Sequence, residues 1–309
     1  MQSSKMDISN QYQLEVQDSR AEIKDYFLAN EQLPEYREYL DFKLVKKEKV
    51  KAWITVCISE GGKAISLPQV PFGGIWMQDS LSSEALEYFI LIIQEELRKR
   101  GVLELEITQA PKPYQSNHDL VNYLLFKLGF RQEKVLAHQF FLGKKKIKKL
   151  IQSEQDRFQK RIKEGELTIR KGPISNFGFL QEIRSWNKSR GYDSNLDETR
   201  LITQVSEYPE RYFLISLEKK GQAVAQTLAT RLTSESLYYF QSAIDPKSQL
   251  KQGGEMLLYQ LFILAMDLKV DFIDLGSSDQ PSSANHNLMF FKSRFSNDIS
   301  NKVTWVRKL

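Results

Sequence analysis

Apolar positions along the chain switch between a period of two and a period near 3.6, and they do so twice in the same order. In the first half, 52–59 alternates and is rich in β-formers. Glu60-Gly61-Gly62-Lys63 reads as a hairpin turn, and 64–70 returns as a second strand. Pro71-Phe72-Gly73-Gly74 breaks that strand before a short one at 75–77. Ser82 or Ser83 then caps a helix running to Arg100. Arg98, Lys99 and Arg100 lie in its last turn, where cations suit the helix dipole, and Gly101 follows. A buried strand at 102–108, a helix capped by Asn117 and ended by Lys127-Leu128-Gly129, and a strand at 135–142 complete the half.

The second half predicts the same series. A helix at 177–190 closes on Gly191, and Asn195-Leu196-Asp197-Glu198 resembles a capping box opening a short helix. Strands at 212–217 and 223–232 form a hairpin about Lys219-Lys220-Gly221, with a third strand at 237–244. A helix at 254–268, a strand at 271–275, a helix at 285–292 and a strand at 302–307 follow. The likeness reaches single residues. Phe126-Lys127-Leu128-Gly129-Phe130 is answered 165 positions later by Phe291-Lys292-Ser293-Arg294-Phe295, and Asn122 by Asn287. Order and echo together predict a duplicated α/β module: one copy at 1–143, a connecting segment at 144–171, and a second copy at 172–309.

Composition narrows the class. A chain of 309 residues has room for two modules, each able to bury a core without staples. The balance of 41% hydrophobic and 27% charged residues is globular. The longest nearly apolar run, 85–93, is interrupted by Glu87 and falls far short of the ~20 residues that cross a bilayer. Residues 1–10 are polar, without an apolar signal-peptide core. One cysteine, Cys57, excludes an internal disulfide framework and a thiolate zinc site. His118, His138 and His286 show no metal-ligand spacing. The expectation is a cytoplasmic protein with no metal and no membrane insertion.

The net charge of +5 is concentrated. From Lys144 to Lys171 there are eleven Lys or Arg and four Asp or Glu, a local +7 that leaves −2 for the other 281 residues. Ile147, Leu150, Ile151, Phe158 and Ile162 recur there at near-helical spacing, so the segment reads as a helix with one buried stripe and a cationic outer face. Two readings stand: a solvated connector, or a surface for a phosphate-bearing ligand.

This order of elements is similar to the fold of the Gcn5-related N-acetyltransferases (GNAT), and residues 117–130, ending in Phe126-Lys127-Leu128-Gly129-Phe130, look like that family's closing helix and corner. Two such modules joined by a basic helix resemble the Fem-type aminoacyltransferases. Four stretches carry that likeness: Pro71-Phe72-Gly73-Gly74; the basic run from Phe158 to Gly165; Ile273-Asp274-Leu275-Gly276-Ser277-Ser278; and Phe291-Lys292-Ser293-Arg294-Phe295. The resemblance implies an α/β fold of two GNAT-like modules, each a mixed sheet flanked by helices. It implies transfer of an acyl or aminoacyl group from acyl-CoA or aminoacyl-tRNA to an amine acceptor. A charged tRNA would also give 144–171 a partner in RNA phosphates. The alternative is a non-catalytic GNAT-fold protein that binds a ligand or RNA.

Acyl transfer needs donors near the developing oxyanion, a cradle for the donor's phosphates and a route for the amine's proton. The second half offers Gln249, Lys251, Gly253 and Gly254 ahead of a helix. They resemble the GNAT pattern Gln/Arg-x-x-Gly-x-Gly/Ala, with Gln252 at its first glycine. Ile244 ends the facing strand, and Lys292 follows on a later helix as a donor to phosphate or acyl carbonyl, or as a solvated helix-end lysine. Gln241 and Tyr239 are expected on one face of the third strand, as candidate catalytic groups beside Asp274, which is a base or simply paired. The first half has no glycine at the matching turn, so its gap is expected to be filled by Trp76 or Met77. The tyrosine that many GNAT enzymes place four residues before the corner glycine is here Leu125 in one half and Phe290 in the other.

Overall fold

The computed structural model describes residues 8–19, 26, 35–191, 197–280 and 283–309; Asn195 and Leu196 of the expected capping box lie outside them. These residues form two compact units. The first holds 8–19, 35–138 and 300–309, and the second holds Tyr26 and the described part of 139–299.

The first unit contains β1 (Gln13–Asp18), β2 (Tyr36–Lys46), β3 (Lys49–Ser59), β4 (Lys63–Ser66), β5 (Trp76–Met77) and β6 (Glu104–Gln109), with helices α1 (Ser83–Lys99) and α2 (His118–Lys127). Ser82 caps α1, its Oγ accepting from Ala85 N at 3.3 Å. The buried stripe Phe89, Ile90, Ile93 and Leu97 seats the helix on the sheet, each side chain contributing about 1.5–3 kcal/mol. Asn117 stands before α2 without capping it, because its amide donates to Asp79 at 3.1 Å. The strand expected at 64–70 ends at Ser66, since Leu67 and Gln69 take left-handed backbone angles that no strand accepts.

The sheet of this unit runs β1-β2-β3-β4-β6 and then β13 (Asp298–Lys308), with β4 and β6 parallel. The closing strand, expected in the second module, therefore belongs largely to the first. Val303 to Lys308 pair antiparallel with Gln109 to Glu104. The reason is burial: Val303 and Trp305 complete the first core, and Trp305 Nε1 donates to Asn122 Oδ1 at 2.6 Å.

The second unit contains α3 (Lys144–Glu164), β8 (Leu167–Pro173), α4 (Gly178–Ser189), α5 (Glu198–Glu207), β9 (Tyr212–Lys219), β10 (Gln222–Thr230), β11 (Ser236–Ile244), α6 (Gly253–Asp267), β12 (Phe272–Ser277) and α7 (His286–Ser293). Its strand order is β12-β11-β10-β9-β8, and the last four residues of β7 (Arg131–Leu142) lie in it too. Asp197 caps α5, accepting from Arg200 N at 3.0 Å.

The segment 144–171, expected to connect the modules, is an integral part of this unit. Ile147, Ile151 and Phe158 are buried, Leu150 and Ile162 are half-buried, and Arg170 and Lys171 lie in β8. The Phe158 ring stacks on Tyr259 of α6 at 4.5 Å, which adds about 0.5–1.5 kcal/mol beyond burial. Lys145, Lys148 and Lys149 are exposed. Reversing all three to Glu is expected to move the melting temperature by no more than about 2 °C in a thermal scan, because exposed charges contribute little to stability.

Candidate functional site: a split between parallel strands in the second unit

Strands β11 and β12 are parallel neighbours over three residues, ending with Tyr238 opposite Asp274. Beyond that pair they form no ladder with each other, and the gap opens ahead of the loop that leads into α6. Asp274, 1% exposed, accepts from Gly276 N at 2.7 Å, two residues further along β12. Gly276 needs its freedom there: its φ is +71°, and an added Cβ would lie 3.4 Å from the Tyr238 ring.

A bulge shapes the β11 wall. Leu228 faces Gln241 and Ala229 faces Tyr239, leaving Phe240 as the extra residue. Because 228 and 229 point to opposite faces, so do their partners. Tyr239 and Gln241 therefore do not share a face, contrary to simple alternation. Tyr239 packs on the α6 side and donates to Ser242 Oγ. Gln241 lies with Tyr238 and Asp274 on the face toward α4 and α5, which places Tyr238 where Tyr239 was expected. Burial raises both phenols above their ordinary value, and Asp274 adds to the rise at Tyr238. Both rings therefore stay protonated at neutral pH.

Lys292 enters the same region from α7. It is 4% exposed and donates to Ser277 O at 2.6 Å. Burial lowers its ammonium to about 8, opposed by the carboxylates of Asp274 and Asp279. The solvated helix-end reading of Lys292 does not hold. Nearby, Ser278 Oγ and Gln139 Oε1 are buried without a hydrogen-bond partner among the described residues, and Gln139 Nε2 donates to Met289 O, one turn of α7 before Lys292. His138 is a buried strand residue, and His286 is exposed beside Asn285, which caps α7 through Leu288 N.

The α6 entrance carries the opposite character. Gln252 precedes the helix in the left-handed conformation, φ +59°, without capping it by its side chain. The first amides of α6 thus lack a side-chain acceptor, a setting that favours anions. Around them a cleft of about 620 Å³ is lined by Arg157, Lys160, Arg161 and Glu164 from α3, Lys219 from β9, and the loop from Ser248 to Gln252 with Lys251; Arg157 is also paired with Glu154 and with Glu255 in the first turn of α6. Sequence reasoning set the basic helix and the loop apart; the fold brings them to one cleft.

Gly253 is the more crowded of the two glycines here. A Cβ on it would fall 2.8 Å from Leu250 Cδ2 and 3.2 Å from Ile244 Cδ1, whereas one on Gly254 would meet the movable Phe291 ring at 3.1 Å. Gln252, at the first glycine of the pattern, pays a left-handed penalty. Replacing it by Gly is expected to raise stability by about 1 kcal/mol, read as a shift in denaturant midpoint.

The first unit closes the matching gap. β4 and β6 pair over three residues, and then the main chain of 73–75 fills the space beside β6. Gly73 N donates to Thr108 O at 3.1 Å, and Ser66 Oγ accepts from Gly74 N and Thr108 N. Gln109 Oε1 accepts from Ile75 N at 3.0 Å, while Gln109 and Gln115 both donate to Ile75 O. Backbone, rather than the side chains of Trp76 or Met77, occupies this gap. No group of three or more His, Cys, Asp or Glu among the described residues could hold a metal, and no described helix is long and apolar enough to cross a membrane.

Comparison with solved structures shows the fold. The fold is a tandem GNAT fold resembling Fem-type proteins. The chain matches FemX with a TM-score of 0.63 at 10% identity, covering 88% of each chain. It matches a tandem GNAT protein from the clavulanic acid biosynthesis pathway with a TM-score of 0.51 at 11% identity, covering 89% of this chain and 84% of that one. It matches L-PGS from Bacillus licheniformis with a TM-score of 0.51 at 12% identity, covering 84% and 81%. At these identities the likeness is one of fold. No protein-family profile and no curated sequence matches the chain.

Proposed function

We infer that this protein is an N-acyltransferase that moves an acyl or aminoacyl group from a phosphate-bearing donor, acyl-CoA or aminoacyl-tRNA, to an amine acceptor. The observation that carries this reading is the split between β11 and β12 beyond Tyr238 and Asp274, set ahead of an α6 entrance ringed by cations. The shared tandem GNAT fold supports acyl transfer in general.

The donor's phosphates rest at the α6 entrance, on Lys251 and the α3 cations, with Gln249 and Gly253 shaping the loop. The acyl group reaches past Ile244 into the split. Lys292 donates to the carbonyl oxygen as the amine attacks and negative charge develops there. The C–N bond forms, the bond to the donor's sulfur or oxygen breaks, and that atom leaves with a proton that the attacking amine gives up in turn, so no net proton is gained or lost. Asp274 keeps Lys292 charged, and Tyr239, protonated by virtue of burial, is a proton source on the α6 side. Gln241 and Tyr238 face the acceptor.

A second reading is a non-catalytic GNAT-fold protein that binds a ligand or RNA. Leu125 and Phe290 at the tyrosine positions favour it, and it predicts binding without turnover. Calorimetric titration with acetyl-CoA and with an aminoacyl-tRNA, followed by a transfer assay on the donor that binds, separates the two. Gly253→Val is expected to weaken that binding at least tenfold, because its side chain displaces the Ile244–Leu250 packing that seats the loop. Native-like binding by this variant would remove the loop from the site. Donor binding without transfer to any amine tried would favour the second reading.

A further inference from the structure

The end of the α3–α6 pair away from the donor cleft carries a second cationic surface that transfer does not use. Helix α3 opens with Lys144, Lys145 and Lys146, followed by Lys148 and Lys149; its first turn has no acidic residue and its N-terminus no side-chain cap. Cations there oppose the helix dipole, so their placement works against the helix they sit on. Lys144 is accounted for by Asp271 at 3.0 Å, and Lys171 by Asp267 at 2.7 Å. Lys145, Lys146, Lys148, Lys149 and Lys269 are all exposed, and none forms an ion pair among the described residues.

A second, separate departure borders the same patch. Met266 is 39% exposed and adjoins Asp267. Ile299 is 58% exposed and lies two residues from Asn297, whose amide brackets Leu142 just ahead of α3. At the end of α6, Met266 precedes the unpaired Lys269 by three residues, so an exposed aliphatic side chain adjoins the patch.

We propose that this end of the second unit docks on an anionic bilayer surface, with the lysines over the phosphate headgroups and Met266 and Ile299 entering the interface. Lysines near an anionic leaflet attract it strongly, and a few buried aliphatic groups add to the attraction. The patch offers no arginine fork for phosphodiesters and no exposed aromatic ring on which a base could stack, so a lipid surface fits it better than a nucleic acid. From Lys146 to Lys160 the helix spans roughly 20 Å, so donor cleft and docking surface can be occupied together.

The test is co-sedimentation of the full chain with vesicles of phosphatidylcholine alone and of phosphatidylcholine with phosphatidylglycerol, at low and high salt. Binding is expected to the anionic vesicles alone and to be reversed by high salt. Lys145→Glu, Lys148→Glu and Lys149→Glu together should cut the partition at least about a hundredfold, taking about fivefold for each lysine. Ile299→Ser should cut it severalfold while leaving the salt dependence unchanged. Reversing Lys160 and Lys163, at the other end of α3, should change it less than about twofold if the docking surface is local. Equal binding to both vesicle types, no vesicle binding, or an equal loss from the Lys160 and Lys163 reversals would overturn the proposal. Loss of tRNA affinity in the triple variant without any vesicle binding would reassign the patch to RNA.

Discussion

Replacing Lys292 by Met is expected to lower transfer by about a hundred- to a thousandfold while leaving donor affinity within a few-fold, the size of effect seen when one oxyanion donor is removed. The protein should remain folded. Lys292 is 4% exposed, and its ammonium is held at about 8 rather than 10.5 because burial penalises the charge. Its pKa is lowered on folding, so burying the charged form costs stability at low pH. That cost fades as pH rises from about 8 toward the unfolded value. Native stability relative to Lys292→Met should therefore climb across that window. Transfer should do the opposite: if the ammonium serves the carbonyl oxygen, kcat/KM falls as pH passes about 8, and Lys292→Met lacks that limb. A rate that rises through the same pH would make Lys292 a base instead.

The largest loss of stability is expected from Gln109→Ala in the first unit. Gln109 is fully buried, and its amide satisfies both the N–H and, with Gln115, the C=O of Ile75. Removing it strands a buried backbone N–H and weakens the support of the carbonyl, in addition to leaving a cavity. Each unsatisfied group costs about 1–3 kcal/mol, so a total near 3–4 kcal/mol is expected, read as a fall in urea midpoint with little change in slope. Because Gln109 holds the segment that closes the first unit's gap, donor binding should be unaffected by this change. A loss of donor binding without unfolding would mean that the first unit takes part in it.

Much of this arrangement was legible in the sequence because it rests on local signals. The cap Ser82, the hairpin turns at Gly62 and Gly221, and the amphipathic stripe of Ile147, Ile151 and Phe158 all declare themselves within a few residues, whereas the cap of α5 is Asp197 and not the first residue of the box read at Asn195. The turn from Gln249 to Gly254 ahead of a helix was legible for the same reason, whereas the burial of Lys292 was not, because it depends on Ser277 and Asp274 from another strand. What was hidden depends on partners far away in the chain. The bulge at Phe240 is a mismatch between β10 and β11, and no alternation within β11 reveals it; hence Tyr239 and Gln241 were read onto one face. The first-unit partner of β13 is chosen by the core that Val303 and Trp305 complete, not by where the strand falls in sequence. Pro71-Phe72-Gly73-Gly74 marked a break correctly, yet that the backbone after it fills a gap beside β6 is legible only once Ser66 and Gln109 are seen to hold it.

The central claim is that the donor sits in the second unit and nowhere else. Hydrogen exchange read by mass spectrometry, with and without saturating acetyl-CoA or aminoacyl-tRNA, whichever titrates, tests it most directly. The account predicts slower exchange across 244–256 and 157–165, and unchanged exchange across 66–77 and 104–110. Protection confined to the first unit's segments, with 244–256 exchanging as fast as in the free protein, would contradict it.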